Sequence, residues 1–328
     1  MKILVLGGTR FVGRHIIDRL ASAHHEVTCF HRGQTACEFG ANIDERLGDR
    51  NVDLSTIEND HWDVVIDVNC YEPEQMQKSL RLHTNRYVFI STVNVYADVS
   101  KPGATEEWPT ITAFDPSDEA AAYGGKKAAC ERLLLARFGE SATILRPGMI
   151  VGKWDPTGRF TYWCDRISRG GDFLVPGPPD RPVQFIDARD LADFAALTIE
   201  HESSGAFNIV GPPETCTMAD LVHDCEAVAA ERGAGGGNAV WADGSFLLQQ
   251  EVEPWIEMPL WLPQPNWAGV LCISNVKAVS AGLQHRPTTD TISSVLDWLS
   301  AAPGAKVAGL AGDRESALLQ KLISVKAR

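Results

Sequence analysis

The stretch LVLGGTRFVG (residues 4–13) joins an apolar run to a glycine pair and then to the start of an amphipathic segment. A strand that ends at Gly7 and Gly8 and leads into a helix near Val12 places backbone N–H groups where a pyrophosphate can bind. Gly7 permits a tight turn, and Gly13 lets the helix approach the strand closely. The stretch therefore predicts a dinucleotide-binding βαβ unit. The alternative is that these glycines serve the turn alone.

Short apolar runs alternate with amphipathic stretches through the first half of the chain. This alternation is typical of a parallel sheet that helices cover on both faces. We therefore predict an α/β fold with a doubly wound parallel sheet of the Rossmann type. The candidate strands are KILVLG (2–7), EVTCFH (26–31), DVVIDV (63–68), YVFIST (87–92) and TILRP (143–147).

The composition changes after about residue 148, where prolines, glycines and tryptophans become frequent. We predict a dinucleotide-binding Rossmann domain over residues 1–150 and mainly a smaller, loop-rich C-terminal substrate lobe over 151–328. Apolar runs at 183–187 and 206–210 are expected to return as strands to the main sheet. A helix is expected between them, over 191–200.

Charge and cysteine usage limit the kinds of partner. The 328 residues include 30 Lys and Arg against 43 Asp and Glu, a formal net charge of −13, which argues against nucleic acid and anionic membranes as partners. The eight cysteines are scattered without a C-x-x-C pair, so we expect free thiols in a reducing compartment and no metal site. No apolar run reaches the roughly 18 residues of a membrane span. These features predict a cytoplasmic protein that acts on a small molecule.

The end of the second predicted strand indicates which dinucleotide binds. NAD-binding folds place Asp or Glu there for the ribose hydroxyls, whereas NADP-binding folds place a cation for the 2′-phosphate. This chain has His31-Arg32-Gly33, with no carboxylate at that point, and Arg10 brings a second guanidinium to the same side. The sequence therefore predicts NADP(H) in preference to NAD(H). The alternative is that Arg32 is a solvated turn residue.

A candidate catalytic group follows in AAYGGKKAACERLLL (121–135). On a helix, Tyr123 and Lys127 lie one turn apart on the same face. A phenol needs a nearby cation to lower its pKa before it exchanges protons readily at neutral pH, and we expect Lys127 to supply it. Thr92, at a strand end in STVNVY (91–96), is expected to orient the same substrate oxygen.

Together these motifs resemble the extended and atypical short-chain dehydrogenases/reductases, which include NAD(P)-dependent nucleotide-sugar epimerases and dehydratases. The resemblance runs from residue 1 to about 210, through GGTRFVG, GDRNVD, FISTVNVY, YGGKK, LRPGMIVG and VQFIDARDLADF. Arg10 stands where the usual pattern has a glycine, as in atypical members such as plastid stem-loop-binding proteins.

The resemblance implies that Thr92, Tyr123 and Lys127 are the catalytic residues. It also places a set of residues against the adenine, the phosphates and the nicotinamide of the cofactor. With the glycine loop included, the expected cofactor-binding residues are Gly7, Thr9, Arg10, Phe11, Val12, Gly13, Arg32, Asp49, Arg50, Val68, Asn69, Tyr123, Lys127, Pro147, Gly148 and Met149.

The substrate is expected beyond the carboxyl ends of the strands. The candidate substrate residues are Tyr71, Asn94, Trp154, Arg159 and Trp163, although aromatic side chains often belong to an ordinary core. The stretch EVEPWIEMPLWLPQPNW (251–267) is either a lid over the pocket or a packing strap.

Three functions are compatible with these motifs. The first is an NADP(H)-dependent oxidoreductase, a ketone reductase or alcohol dehydrogenase, acting on a polar, ring-bearing molecule of sugar, nucleoside or secondary-metabolite type. The second is an epimerase or dehydratase on a sugar-like substrate, with tightly bound NAD(P). The third is a non-catalytic dinucleotide-sensing or RNA-binding protein, which the acidic charge opposes. The resemblance also implies a possible homodimer through helices near Tyr123.

Overall fold

The computed structural model describes residues 1–40, 42–212, 216–302, 304–305 and 307–326. The strands are β1 (Lys2–Leu6), β2 (Glu26–His31), β3 (Ile43–Leu47), β4 (His61–Asp67), β5 (His83–Ile90), β6 (Ala142–Pro147), β7 (Ile150–Val151), β8 (Phe173–Pro176), β9 (Ile186–Asp187), β10 (Gly205–Ile209) and β11 (Ala239–Ala242). The α-helices are α1 (Phe11–Ser22), α2 (Pro73–Ser79), α3 (Glu119–Phe138), α4 (Arg159–Ser168), α5 (Ala188–Glu200), α6 (Met218–Glu231), α7 (Gly244–Gln249), α8 (Val276–Ser280), α9 (Thr288–Ala301) and α10 (Gly312–Lys326).

Seven parallel strands form the central sheet, in the order β10-β6-β5-β4-β1-β2-β3. The direction in which strands are added reverses between β1 and β4, which creates a crevice at the carboxyl ends of the strands. The predicted doubly wound Rossmann sheet is therefore confirmed.

Helices cover both faces of this sheet because its central strands are apolar on both sides. On one face, Ile16 of α1 and Phe194 of α5 pack against strand residues such as Val5. On the other face, Leu134 of α3 packs with Trp62 and other strand residues. Burial on both faces explains why these strands have nearly continuous apolar sequences.

A second core belongs to the C-terminal lobe. It is formed chiefly by α4, α6 and α9 together with the chain around Trp261, and it buries Trp163, Phe173 and Leu221. The lobe also contains a two-stranded parallel sheet of β8 and β11. The C-terminal lobe lies beside the strand ends of the main sheet. The sheet and the lobe therefore form the two sides of one cavity.

Two strands differ from the sequence-based expectation. The run at 206–210 does join the main sheet as β10, but the run at 183–187 does not, because Ile186 and Asp187 pair with Ile150 and Val151 of β7 instead. Strand β3 was not predicted. Its sequence IDERL lies at the sheet edge with only partial burial, so it lacks the apolar signal of the inner strands.

Among the described residues, no helix has both the length and the apolar character that crossing a lipid bilayer requires.

Candidate active site

A cavity of about 940 Å³ lies at the carboxyl ends of the central strands. Its wall runs from the loop after β1, past the ends of β2, β4 and β5, to the residues after β6. The cofactor-binding residues expected from the sequence that line it are Gly7, Thr9, Arg10, Phe11, Val12, Arg32, Asp49, Arg50, Val68, Asn69, Tyr123, Lys127, Pro147, Gly148 and Met149. One continuous cavity therefore gathers residues that are far apart in the chain.

The glycine loop has the geometry of a phosphate-binding turn. Gly7 and Gly8 have φ values of +92° and +134°, which favour glycine, and a Cβ on Gly7 would lie 3.0 Å from Cγ of Asn69. Gly13 is the exception among the expected contacts, because it does not line the cavity. A Cβ there would lie 2.5 Å from Cα of Gly8, so Gly13 serves the close approach of helix α1 to the loop.

The adenosine end of the cavity holds two arginines. Arg10 donates from Nε to Oγ1 of Thr35 at 3.0 Å, and Arg32 is exposed on the wall without an ion pair to any residue in the described part of the chain. His31-Arg32-Gly33 at the end of β2 includes no carboxylate, but His31 contacts one from the neighbouring strand. Glu45 on the unpredicted strand β3 places Oε2 3.1 Å from Nε2 of His31, although Glu45 itself does not line the cavity.

Arg50 has a structural partner that the sequence did not reveal. Its guanidinium forms two 2.6 Å hydrogen bonds to the buried Asp67 carboxylate, which also accepts a bond from Tyr87. Burial acts to lower the pKa of Arg50, but Asp67 outweighs it and raises the pKa above its ordinary value. Arg50 also donates to Oδ1 of Asn69 at 3.1 Å, and so fixes a side chain that supports the glycine loop.

Thr92 and Tyr123 meet at the centre of the cavity wall. Thr92 ends the segment after β5, and Tyr123 lies in the first turns of α3. Both side chains line the cavity, and Oγ1 of Thr92 accepts from the backbone N–H of Asn94 at 3.2 Å. A substrate oxygen in the cavity can therefore approach two hydroxyl groups at once.

Lys127 lies one turn after Tyr123 and is almost fully buried. Its ammonium donates to the carbonyl of Ile90 at 2.8 Å and lies 4.7 Å and 4.9 Å from the ring centroids of Phe89 and Tyr71. Burial lowers the pKa of Lys127 to about 8. The ammonium is thus held beside the cavity by one carbonyl and two aromatic rings.

The expected lowering of the phenol pKa by Lys127 does not occur in this structure. Burial raises the pKa of Tyr123, the nearby Tyr71 acts in the same direction, and the Thr92 hydroxyl only partly opposes them. The physical reason is that the phenol is largely desolvated while the ammonium is directed at Ile90. Tyr123 is therefore neutral at pH 7 and able to donate a proton.

A buried ion pair lies behind these residues. Glu131, one turn beyond Lys127 on α3, accepts a hydrogen bond from Ser91 and pairs with Arg146 of β6 at 2.7 Å. The pair ties α3 to the ends of β5 and β6, which carry Thr92 and the segment from Pro147 to Met149. Sequence reasoning missed this pair, because nothing in the separation of the two residues along the chain indicates contact.

The substrate end contains only part of the expected set. Tyr71, Asn94 and Arg159 line the cavity. Trp163 was a wrong assignment, because it is fully buried in the lobe core and donates to the carbonyl of Pro259 at 3.1 Å. Trp154 was also wrong, because it packs outside the cavity between Arg14, Lys153 and His15.

The stretch 251–267 serves two purposes. Val252, Met258, Leu260 and Trp261 are buried in the lobe core, while other residues of the stretch face the cavity. The cavity-lining residues at this end that the sequence did not single out are Asp155, Thr157, Trp255, Leu262, Trp267, Val270 and Leu271. The stretch 251–267 therefore packs in the lobe core and also lines the cavity.

Comparison with known proteins places these features in a family. The family model for the NAD dependent epimerase/dehydratase family matches residues 3–73 and 63–210. A curated relative, the chloroplast stem-loop binding protein of 41 kDa b from Arabidopsis thaliana, is 29% identical over 230 residues, which cover 64% of this chain and 58% of that protein. The chain thus spans less than two thirds of the length of this relative.

Solved structures share the fold across almost the whole chain. The UDP-glucuronic acid 4-epimerase from Bacillus cereus in complex with NAD has a TM-score of 0.64 at 18% identity, covering 93% of this chain and 98% of that one. The UDP-glucose 4-epimerase of Thermus thermophilus in complex with NAD has a TM-score of 0.65 at 18% identity, covering 92% and 100%. A putative epimerase from Burkholderia cenocepacia has a TM-score of 0.66 at 16% identity, covering 92% and 98%.

Proposed function

The chain belongs to the NAD dependent epimerase/dehydratase family, and from this premise we propose that it is an NADP(H)-dependent oxidoreductase acting on a polar, ring-bearing small molecule. The observation that carries the proposal is one cavity wall that joins the glycine loop after β1 to the hydroxyls of Thr92 and Tyr123. A dinucleotide bound on the loop and a substrate oxygen at the hydroxyls then share one enclosed space.

The residues of this chain fit a dinucleotide. A Cβ on Gly7 would crowd Asn69, so the close packing of the loop against that side chain requires a glycine at residue 7. No side chain caps the N-terminus of α1, which leaves N–H groups of its first turn available to a pyrophosphate. When bound, the nicotinamide supplies or accepts a hydride. The segment from Pro147 to Met149 and Val68 would form its walls.

Tyr123 and Thr92 handle the proton in this proposal. The phenol of Tyr123 keeps its proton at pH 7 and donates it to a developing alkoxide, which is more basic than a phenolate. Thr92 orients the same oxygen by a second hydrogen bond. Lys127 holds a positive charge beside the site and would contact the nicotinamide ribose.

NADP(H) is proposed rather than NAD(H) because of the adenosine end. Arg32 is free of ion pairs within the described residues, and Arg10 keeps its terminal nitrogens free of protein partners there. A guanidinium fork matches the geometry of a 2′-phosphate. Glu45 approaches His31 from behind and does not line the cavity, so it does not occupy the place of a ribose-binding carboxylate.

Epimerisation or dehydration is the second candidate, favoured by the family and by the epimerases that share the fold. It would use the same Thr92 and Tyr123 with a cofactor that is regenerated in each turnover. RNA binding, suggested by the name of the Arabidopsis relative, is opposed by the net charge of −13.

The experiment that tests the proposal begins with purified protein passed through a desalting column. We expect the protein to lose its cofactor there, to bind added NADPH more tightly than NADH, and to oxidise NADPH, followed by its near-ultraviolet absorbance, with a member of a panel of ring-bearing ketones. Cofactor that stays bound, combined with product formation without net NADPH loss, would establish the second candidate instead. A salt-dependent shift of RNA by the protein would revive the third.

A further inference from the structure

The substrate end of the cavity contains one arginine, Arg159, at the start of α4. Its Nε donates to the carbonyl of Trp255 at 3.2 Å, and its guanidinium carbon lies 5.1 Å from the centroid of the Trp255 ring. These two contacts fix the plane of the guanidinium. Its two terminal nitrogens have no hydrogen-bond partner among the described residues.

Arg159 lacks the carboxylate partner that several other buried arginines have. Arg50, Arg146 and Arg166 are each paired with a buried Asp or Glu within 2.7 Å. Burial lowers the pKa of Arg159, and the nearby Asp155 acts only weakly in the opposite direction. A half-buried cation that faces a cavity without an ion-pair partner can be balanced by a ligand that supplies the negative charge.

Asp155 does not form an ion pair with Arg159, and its oxygens accept hydrogen bonds from Thr157 instead. One oxygen accepts from the backbone N–H of Thr157 at 2.8 Å, and the other accepts from the Thr157 hydroxyl at 3.0 Å. The carboxylate therefore stabilises the turn before α4. It leaves the outer edge of Arg159 directed at the cavity.

Apart from Asp155 and Thr157, the cavity surface around Arg159 is apolar. Trp255, Leu262, Trp267 and Leu271 line this end, and Trp267 is 37% exposed. Aromatic and aliphatic side chains of this kind bind flat or apolar ring systems. Among the described residues, Arg159 alone brings an unpaired cation to this end, so the charge it can balance is that of one anionic group.

We propose that Arg159 is the anion-binding residue of the substrate site, and that the substrate carries a single oxyanion group, a carboxylate or a phosphate monoester, on a ring that packs against the tryptophan wall. This inference rests on the proposed function, because the same cavity holds the substrate. The guanidinium fork binds the two oxygens of the anion and the ring of Trp255 holds the fork in place.

Arg181 provides a matched control for Arg159. It is also half-buried, lacks an ion pair among the described residues and donates to a carbonyl of the same stretch, that of Leu262 at 3.3 Å. Burial lowers its pKa as well. Unlike Arg159, it does not line the cavity. A general effect of removing a buried arginine would therefore appear in both variants.

The test is calorimetric titration of the full chain, with and without NADPH, using four probes: 2-naphthoate, 2-naphthyl phosphate, the neutral 2-naphthamide and uridine diphosphate. We expect at least one of the two naphthyl anions to bind more tightly than the amide, and the better anion identifies the group. In Arg159→Gln that affinity should fall about 10- to 100-fold, with a smaller fall in Arg159→Lys. Arg181→Gln should retain the affinity of the wild type.

Several outcomes would overturn the inference. These are the amide binding as tightly as the anions, no probe binding at all, an equal loss in Arg159→Gln and Arg181→Gln, or uridine diphosphate binding more tightly than naphthyl phosphate. If NADPH fails to bind while an anion still binds through Arg159, the cofactor assignment fails and the anion site stands. If NADPH binds but anion binding does not depend on Arg159, the anion site fails and the cofactor assignment stands.

Discussion

The two ends of the cavity are built in different ways. At the nucleotide end, the pyrophosphate site is made by backbone, from the glycine turn after β1 and the uncapped start of α1, and it is contiguous in sequence. The substrate end is made by side chains of two segments about a hundred residues apart, around Arg159 and around Trp255, which meet only in the folded lobe. A backbone site binds a constant group such as a pyrophosphate, whereas a side-chain wall can vary with the substrate.

Tyr123→Phe should produce the largest effect, because Tyr123 lies where the two ends meet. Turnover of a carbonyl substrate should fall about 10²- to 10⁴-fold, since the proton donor is removed. NADPH affinity, measured by fluorescence titration, should be nearly unchanged. Tyr71→Phe is the matched control, because its ring lies 6.4 Å from that of Tyr123 on the same wall. Equal rates in wild type and Tyr123→Phe would remove this phenol from the chemistry.

A comparison of the single variants Arg32→Ala and Arg159→Gln separates the contributions of the two ends of the cavity to binding. Loss of the cation that faces the 2′-phosphate should weaken NADPH binding about 10- to 100-fold and leave NADH binding and the naphthyl anions unaffected. Arg159→Gln should do the opposite. The surface variant Arg169→Ala, off the cavity wall, controls for net charge. If Arg32→Ala weakens both dinucleotides equally, the NADP preference is wrong.

Lys127→Met should change how stability depends on pH. The pKa of Lys127 is about 8 in the fold against 10.5 in the unfolded chain, so between these values the unfolded chain binds more protons and the wild type gains stability as pH rises. The gain should reach up to about 3 kcal/mol. Methionine keeps the volume without the charge, so urea unfolding followed from neutral pH to about pH 10.5 should show a smaller rise in the variant. Parallel curves for the two proteins would contradict the buried, depressed lysine.

Tyr71→Leu is expected to give the smallest effect, through its contact with the Lys127 ammonium. A cation near an aromatic ring is stabilised by about 0.5–2 kcal/mol. A double-mutant cycle of Tyr71→Leu with Lys127→Met, measured by urea unfolding at about pH 6.5, should give a coupling energy in this range. Tyr71→Phe should keep the coupling, because the ring remains. A coupling of zero would mean that the ring does not hold the ammonium.

The same difference between the two ends explains what the sequence could predict. The loop from Gly7 to Gly13, the Tyr123–Lys127 spacing and the parallel sheet follow from local patterns, because each depends on residues close together in the chain. The tryptophans could not be assigned, since Trp163 and Trp255 are equally apolar and only the fold puts one in the core and the other on the wall.

Local sequence patterns also could not predict the electrostatic partners. The pairing of Arg50 with Asp67, and of Arg146 with Glu131, joins residues on different elements. The direction of the Tyr123 pKa was mispredicted because it depends on burial and on where the ammonium points. The sequence did not predict strand β3, because an edge strand with a charged sequence lacks the apolar pattern of an inner strand.

The most direct test of the central claim is a crystal structure of the full chain with NADPH. The account predicts the pyrophosphate on the N–H groups of the loop from Gly7 to Val12, the 2′-phosphate beside Arg32, and the nicotinamide next to Tyr123 and Lys127. NADPH bound elsewhere on the protein, or a cavity in which the Tyr123 hydroxyl faces away from the nicotinamide, would contradict it.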